Sequence, residues 1–331
     1  MRVLAYYGPN DLREEEWPKP QPGFGQVRVA IKSVCLSTCD VLHYTTGGFG
    51  DLALPRPFVF GQDAAGLIDA VGAGVQGLKP GMPVVLDPVL PNDQILGWPP
   101  TQGALAEYIV VPARNAVPIE GRYSFAELAC IPALAVVEDA FDRCACDDHI
   151  VIVGAGYLGL LCLLTAQNLG VASTAVIDAH PGRLAHACQF GANDALANVA
   201  QLAASSGTDH AEAAWIFECS GTDEGLAQAL DLAAPCSDIM LLGMTAARTL
   251  ALPMLPACLK EVQLHCCRHA QPMHAQAPRL VQSGKLNLAP LITHRIPWDK
   301  AEDAFALAAQ PDGDAIRISL EPEELDEPFH P

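Results

Sequence analysis

A strand, a glycine-rich turn, a helix and a second strand follow one another between residues 149 and 178. In a Gly-x-Gly-x-x-Gly turn, the first glycine permits the tight turn, the second lets backbone approach a pyrophosphate, and the third lets the helix pack on the strand. The helix N-terminus adds free N–H groups and a positive dipole end, which favour phosphate. The segment therefore predicts a dinucleotide site in an α/β fold. Its predicted binding residues are Gly154, Gly156, Tyr157, Leu158 and Gly159.

An acidic residue ends the second strand of this segment. Asp178 lies 19 residues after Gly159, where a carboxylate accepts hydrogen bonds from the hydroxyls of an adenosine ribose. The same carboxylate would repel a 2′-phosphate, so we predict NAD rather than NADP as the cofactor. The alternative is a glycine-rich strand–helix turn in some other α/β protein.

Length and composition narrow the class of protein. The chain has 331 residues, enough for two domains, and 50% hydrophobic residues, enough to bury a full core. A net charge of −19 without a Lys/Arg block argues against nucleic acid or anionic membrane as a partner. The longest apolar stretch, about 157–166, is too short to span a bilayer. We therefore expect a cytoplasmic protein whose twelve cysteines are thiols rather than a disulfide framework.

Two patterns divide the chain. Residues 1 to about 120 are predicted to be β-rich, because strands such as 27–31 alternate and proline or glycine recurs every eight to twelve residues. Residues 87–103 are predicted to be a loop and 124–145 helical. From His149 strands and helices alternate, which indicates a doubly wound parallel sheet. Its further strands are predicted at 172–177, 213–219 and 239–243, and its helices at 182–190 and 224–233.

With these elements assigned, the chain resembles the medium-chain dehydrogenase/reductase superfamily, nearest to its sorbitol, idonate and threonine dehydrogenase-like members. The resemblance covers nearly the whole chain. It rests on ordered blocks: Gly61-Gln-Asp-Ala-Ala-Gly, Val71-Gly-Ala-Gly-Val, Lys79-Pro-Gly-Met-Pro-Val, Gly103-Ala-Leu-Ala-Glu-Tyr, the glycine turn, Arg183-Leu-Ala-His-Ala-Cys-Gln-Phe-Gly-Ala and Phe217-Glu-Cys-Ser-Gly.

The resemblance implies a domain organisation and further cofactor residues. We expect a GroES-like catalytic domain over 1–122, a Rossmann NAD-binding domain over 123–265 and a return to the catalytic domain over 266–331. Arg183 is expected to contact the adenine or ribose, while Ser220 and Gly243 follow strands at the edge where such sheets bind ligands. A homodimer or tetramer is expected as well.

The zinc-ligand positions of the superfamily are altered in this chain. Where zinc members have a cysteine, a histidine and a third acidic or cysteine ligand, the chain has Ser37, Gln62 and Pro132. The four-cysteine structural zinc lobe is replaced by the cysteine-free segment 88–102. Neutral hydroxyl and amide oxygens are poor zinc ligands, so we predict no metal. A zinc site rebuilt from Cys39, His43 and Asp63 is the alternative.

Without zinc, another group must stabilise the developing alkoxide or enolate. We predict Cys39, His43 and Asp63 as catalytic residues, with His43 or Tyr44 donating a proton and Asp63 orienting that donor. The alternatives are that His43 is a solvent-facing loop residue, that Asp40 only partners backbone, and that Tyr44 lies at the surface rather than in a pocket wall. A conjugated substrate that stabilises its own charge would also suffice.

The predicted function is NAD(H)-dependent, zinc-independent hydride transfer between nicotinamide and a small or medium organic alcohol, carbonyl or enone. Three alternatives remain open: a zinc-dependent alcohol or polyol dehydrogenase with unusual ligands, a non-catalytic NAD(H)-binding protein, and a lyase or epimerase that oxidises its substrate transiently.

Overall fold

The computed structural model describes residues 1–49, 52–144, 149–201, 213–245, 249–267, 273, 276–310 and 313–322. The described residues form two compact units. The first unit comprises those within Met1–Ala135, His269–Pro311 and Arg317–Pro331, and the second those within Val136–Arg268 and Asp312–Ile316. The expected domain boundaries after residues 122 and 265 stay predictions.

The strands in the described residues are numbered in chain order. They are β1 (Arg2–Gly8), β2 (Asp11–Glu16), β3 (Gln26–Cys35), β4 (Gly48–Phe49), β5 (Leu52–Ala53), β6 (Asp63–Val71), β7 (Pro83–Leu86), β8 (Tyr108–Pro112), β9 (Ala116–Pro118), β10 (His149–Val153), β11 (Ser173–Ile177), β12 (Asp194–Leu196), β13 (Ala213–Glu218), β14 (Ala233–Leu241), β15 (Gln263–Cys266), β16 (Ile292–Pro297) and β17 (Arg317–Glu321).

The helices are numbered in the same way. They are α1 (Thr38–Thr46), α2 (Phe125–Leu128), α3 (Ile131–Asp142), α4 (Tyr157–Leu169), α5 (Pro181–Gln189), α6 (Asp223–Leu232), α7 (Met254–Leu259), α8 (Gln276–Gln282) and α9 (Ala301–Ala308). Among the described helices, none is long and apolar enough to cross a bilayer.

A predominantly antiparallel sheet organises the first unit. Its order in the described residues is β16-β17-β3-β6-β7-β9. Strand β17 pairs with the end of β3, and β8 pairs with the beginning of β3. The predicted strand at 27–31 is confirmed within β3, where Val27, Val29 and Ile31 are buried and alternate with more exposed residues. Burying each such side chain stabilises the fold by about 1.5–3 kcal/mol. Pairing of Cys35 with Asp63 sets the register between β3 and β6.

The helical prediction for 124–145 is wrong in one respect, because two helices occupy it. Ser124 caps α2 and forms a capping box with Glu127, and a new helix, α3, starts at Ile131 with Pro132 in its first turn. Proline lacks a backbone N–H and is therefore favoured where a helix begins, not within one. Residues 145–148 lie outside the described part.

A parallel sheet organises the second unit. Its described strands follow the order β12-β11-β10-β13-β14-β15, all parallel. This order places the first and fourth strands side by side, as in a Rossmann sheet. The predicted α/β fold class, a GroES-like unit plus a doubly wound parallel sheet, is confirmed. The central strands β10, β11 and β13 are largely apolar, as expected where helices cover both faces of a sheet; Val151, Ile177, Ile216 and Ile239 all lie in one buried core.

Candidate functional site

The glycine turn of the second unit has the geometry that its sequence predicts. Gly154 has a φ of +99°, a left-handed conformation that disfavours other residues. Its N–H donates to the carbonyl of Ile177 at 2.7 Å, which joins the turn to the end of β11. A Cβ on Gly159 would lie 1.8 Å from the carbonyl oxygen of Gly154, so only glycine lets α4 pack this closely on β10.

An open cradle lies at the start of α4. Gly156 is the N-cap of this helix, and no side chain caps the first turn. Among the residues that the structure describes, and apart from the adjoining backbone, no heavy atom lies within 4 Å of the position that a Cβ on Gly156 would take. The first N–H groups of any α-helix have no acceptor within the helix itself. This combination of open space, helix N-terminal N–H groups and a positive dipole end fits a pyrophosphate.

Asp178 has a second role that the sequence did not reveal. Its Oδ2 accepts from the N–H of Ala155 at 2.7 Å, and its Oδ1 accepts from the N–H of His180 at 2.8 Å. The His180 Nδ1 lies 2.9 Å from the same Oδ1. The carboxylate therefore holds the glycine turn to the end of β11, and its remaining lone pairs can accept from a ribose. Binding of ribose by Asp178 stays a prediction.

A buried acid that sequence reasoning missed organises the neighbouring loop. Glu218 ends β13, and its Oε1 accepts from the N–H groups of Ser220 and Gly221 at 2.8 and 3.0 Å and from the Ser220 hydroxyl. Its backbone carbonyl accepts from the N–H of Gly243 at 2.8 Å. Glu218 thus joins Ser220 and Gly243 at one edge of the sheet. The sequence signal that could have identified Glu218 is an acidic residue at the end of an apolar strand.

Arg183 lies in the first turn of α5, which follows Asp178 and His180. It is half-buried. Its predicted contact with a cofactor stays a prediction.

In the first unit, Ser37 acts as a helix cap. The Asp40 N–H donates to the Ser37 Oγ at 3.2 Å, while the Ser37 N–H and Oγ donate to Asp40 Oδ2 at 2.9 and 2.6 Å. The Gly61 N–H donates to Asp40 Oδ1 at 3.0 Å. Asp40 is thus a partner for backbone, as the alternative interpretation held, and the Ser37 hydroxyl is committed to the start of α1.

Cys39, His43 and Tyr44 are buried on α1, so the alternatives that His43 faces solvent and that Tyr44 lies at the surface are wrong. Burial lowers the pKa of His43 to about 4, so its imidazole is neutral at pH 7. Burial also raises the pKa of the Cys39 thiol far above its ordinary value. The Tyr44 ring packs on Phe305, with 4.5 Å between centroids. Cys39 and His43, four residues apart, share one face of the helix.

Asp63 begins β6 and forms a buried ion pair with Arg317 of β17. The Arg317 guanidinium also donates to the carbonyl of Leu36 at 2.9 Å. These contacts tie β6, β17 and the end of β3 together. The sequence did not predict this structural role for Asp63. Its role as a catalytic residue stays a prediction.

Gln62 is held by a residue of the predicted loop. The indole Nε1 of Trp98 donates to Gln62 Oε1 at 3.0 Å. The His43 ring meets Trp98 edge-on at 5.2 Å and lies 6.3 Å from Phe60. No sequence pattern points to Trp98, because a tryptophan in a proline-rich loop can have a packing role or a functional one.

Comparison with known proteins decides the family. A family described as the alcohol dehydrogenase GroES-like domain matches residues 23–121, and one described as zinc-binding dehydrogenase matches 158–282. Sorbitol dehydrogenase of Homo sapiens is 28% identical over 96% of each chain. The chain belongs to the medium-chain dehydrogenase/reductase superfamily. This confirms the resemblance stated from the sequence.

Solved structures of the same fold include other dehydrogenases. Galactitol-1-phosphate dehydrogenase from Escherichia coli is 26% identical, with a TM-score of 0.85 over 97% of this chain and all of the other. A short chain alcohol dehydrogenase (rspB) from E. coli CFT073, solved with NADH, has a TM-score of 0.84 at 23% identity and covers 97% and 99% of the two chains. At that identity the second likeness concerns the fold alone.

The zinc that one family description implies does not fit the donors of this medium-chain dehydrogenase/reductase. The Ser37 Oγ caps α1, the Gln62 Oε1 accepts from Trp98, and Pro132 has no side-chain donor atom. Within the described ranges, no three His, Cys, Asp or Glu side chains are grouped so as to hold a metal. Cys39, His43 and Asp63 therefore do not form such a group either.

Proposed function

We propose that the protein is an NAD(H)-dependent oxidoreductase that interconverts an alcohol and its carbonyl without zinc. The observation that carries the cofactor assignment is the cradle at Gly156, with an uncapped helix N-terminus and Asp178 tied to the same turn. The nicotinamide, when bound, supplies or accepts the hydride. The residues of the turn would hold the pyrophosphate, and Asp178 would accept from the ribose hydroxyls.

The named relatives indicate the substrate class to test first. Sorbitol dehydrogenase and galactitol-1-phosphate dehydrogenase, by their names, act on a polyol and a polyol phosphate. Both match nearly the full length of this chain. We therefore propose a polyol or a related secondary alcohol as the substrate, with small ketones and enones as the next classes.

Zinc independence is proposed on the chemistry of the donors. A catalytic zinc requires thiolate, imidazole or carboxylate ligands, and the three positions offer a hydroxyl, an amide and a proline. The hydroxyl and the amide oxygen already have protein partners. The alternative set of Cys39, His43 and Asp63 has its carboxylate paired with Arg317.

The candidates for proton transfer are the predicted catalytic residues Cys39, His43 and Asp63. His43 is the candidate that we favour for proton transfer in the oxidative direction, because an imidazole that is neutral at pH 7 is in the form that accepts a proton from an alcohol. Cys39 is a neutral thiol at that pH and Asp63 is ion-paired, which leaves them weaker acids or bases. Replacing a true acid or base should lower kcat by roughly 10²–10⁴-fold.

We propose a homodimer because the parallel sheet has an exposed edge with apolar side chains beside it. The edge strand in the described residues is β15, next to β14. The nearby helix α7 exposes Met254, Leu255 and Leu259, and Leu264 of β15 is exposed as well. An exposed apolar patch beside an open strand edge favours burial against a second copy of the chain.

Steady-state turnover tests the proposed function. NAD reduction with sorbitol, galactitol 1-phosphate and 2,3-butanediol, and NADH oxidation with the matching carbonyls, should give activity that survives strong chelator. NAD binding without any turnover would support the non-catalytic alternative. Tightly bound NAD that is never consumed would support the lyase or epimerase alternative.

A further inference from the structure

The carboxamide of Gln62 has a fixed orientation. Gln62 lies between Gly61 and the start of β6 and is almost completely buried. The Trp98 Nε1–H contacts one end of its amide at 3.0 Å. An indole nitrogen can donate a hydrogen bond but cannot accept one. The amide atom that faces Trp98 must therefore be Oε1, and the Nε2 amino group must point the other way.

Backbone hydrogen bonds hold the loop that contains Trp98 against the residues before Gln62. The N–H of Gly103 donates to the carbonyl of Val59 at 2.7 Å, and the N–H of Ala104 donates to the carbonyl of Gly61 at 2.8 Å. A Cβ on Gly97 would lie 3.1 Å from the carbonyl carbon of Gly61. The segment 97–104 therefore lies directly on residues 59–61, and this contact holds the indole in place.

The amino group of Gln62 is a donor without an acceptor. Within the described part of the chain, no atom accepts a hydrogen bond from Nε2, and Nε2 is not among the fully enclosed polar atoms that lack a partner. It is therefore not fully enclosed, and it lies on the amide that accepts from Trp98, whose indole also packs edge-on against the His43 ring. A preorganised donor in apolar surroundings stabilises developing negative charge more strongly than the same donor in water.

We infer that Gln62 Nε2 donates a hydrogen bond to the reacting oxygen of the substrate. It stabilises the alkoxide as charge develops, in place of a metal. In the reductive direction the carbonyl carbon gains a hydride from reduced nicotinamide, the C=O electron pair moves onto oxygen, and that oxygen takes a proton from water or from a protein acid. Gln62 binds the oxygen throughout and transfers no proton. This inference rests on the proposed function.

Three variants of the full-length protein test the role of Gln62. Gln62→Met keeps the side-chain length and removes the donor, and it should lower kcat by roughly 10²–10³-fold while the affinity for NADH stays unchanged. Trp98→Phe removes the N–H that orients the amide and should lower kcat by roughly three- to tenfold. Gln76→Met, an exposed site in the same unit, is the matched control and should keep wild-type kcat.

A pH profile separates this role from a structural one. Gln62→Glu should be as slow as Gln62→Met at neutral pH, because a carboxylate repels the alkoxide. Its rate should rise relative to Gln62→Met as the pH falls, since the protonated carboxyl can donate. Circular dichroism and NADH titration check that each variant is folded.

Two results would overturn the inference. One is a folded Gln62→Met variant whose kcat stays within about threefold of wild type, far below the loss expected for an oxyanion donor. The other is stoichiometric zinc in the wild type that Gln62→Met loses, since the amide would then be a metal ligand. A wild type that binds NAD but turns over no substrate would overturn the proposed function itself and, with it, this role.

Discussion

Asp63 and Arg317, separated by 254 residues in the chain, form a buried ion pair in the first unit. The pair joins β6 to β17, and Arg317 also donates to the carbonyl of Leu36, the residue that directly follows β3. Asp63, the residue after Gln62, therefore joins distant strands of the sheet. Whether Asp63 also takes part in catalysis is open to a direct test.

Replacing Arg317 by Met should destabilise the protein by about 3–5 kcal/mol, because the Asp63 carboxylate would remain buried without its counter-charge. Asp63→Asn should destabilise the protein as well, because the buried Arg317 guanidinium loses its counter-charge and keeps only a neutral amide oxygen as acceptor. Chemical denaturation gives both values. If Asp63 is structural, folded Asp63→Asn keeps kcat near wild type; a hundredfold loss in the folded variant would instead support the catalytic role.

Asp178→Asn should weaken NAD binding and relax discrimination against NADP by roughly ten- to a hundredfold, which corresponds to about 1.5–3 kcal/mol. Because Asp178 also accepts from Ala155, both cofactors should lose some affinity through the loosened turn. Fluorescence titration of both reduced cofactors measures this. Asp231→Asn, an exposed site on α6, is the control. Tighter binding of NADPH than NADH by the wild type would contradict the assignment.

Protein purified without chelator should contain far less than one zinc per chain. A structural zinc site supplies on the order of 10 kcal/mol to a small fold, so a domain that depended on one would melt in chelator. We expect the melting temperature and the activity to be unchanged by strong chelator. Elemental analysis with about one zinc per chain, together with activity lost on chelation, would restore the zinc dehydrogenase alternative.

Glu138 should make the protein less stable as the pH rises. Burial, aided by Asp142, raises the pKa of Glu138 to about 8, so the folded state keeps a proton that the unfolded state loses near its ordinary pKa. The resulting destabilisation grows as the pH rises from about 4.5 and is complete near 8. Glu138→Gln should therefore gain about 2–4 kcal/mol at pH 8 and little at pH 4.5.

Denaturant titrations at the two pH values test this prediction. Glu120→Gln, an exposed site in the other unit, should change the stability at neither pH. Equal stability of Glu138→Gln and wild type at pH 8 would show that the Glu138 carboxyl is solvated in solution.

Leu259→Lys on α7 should dissociate the proposed dimer. Leu259 is 75% exposed in the single chain, so the substitution costs little within one subunit, whereas a buried lysine at an interface is costly. Light scattering should give twice 35.0 kDa for the wild type and one chain for the variant. A wild type that scatters as one chain at micromolar concentration would rule out the dimer.

Local sequence patterns predicted those parts of the fold that depend on residues close together in the chain. Gly154 and Gly159 sit where a positive φ and a close helix–strand contact exclude a side chain, and those requirements are visible in the spacing alone. Alternation in β3 and the apolar strands of the second unit likewise follow from burial of one or both sheet faces. The order of the motif blocks identified the superfamily.

The sequence by itself thus determined the α/β class, the glycine turn and the superfamily, and it carries the prediction that Ser37, Gln62 and Pro132 stand at the zinc-ligand positions. Only the tertiary structure decided the partners of the polar side chains: Gln62 with Trp98, Asp63 with Arg317, and Asp178 with Ala155. The physical reason is that a buried polar group must find a partner, and the partner that it finds is set by which distant strands and loops pack together. No local pattern contains that information.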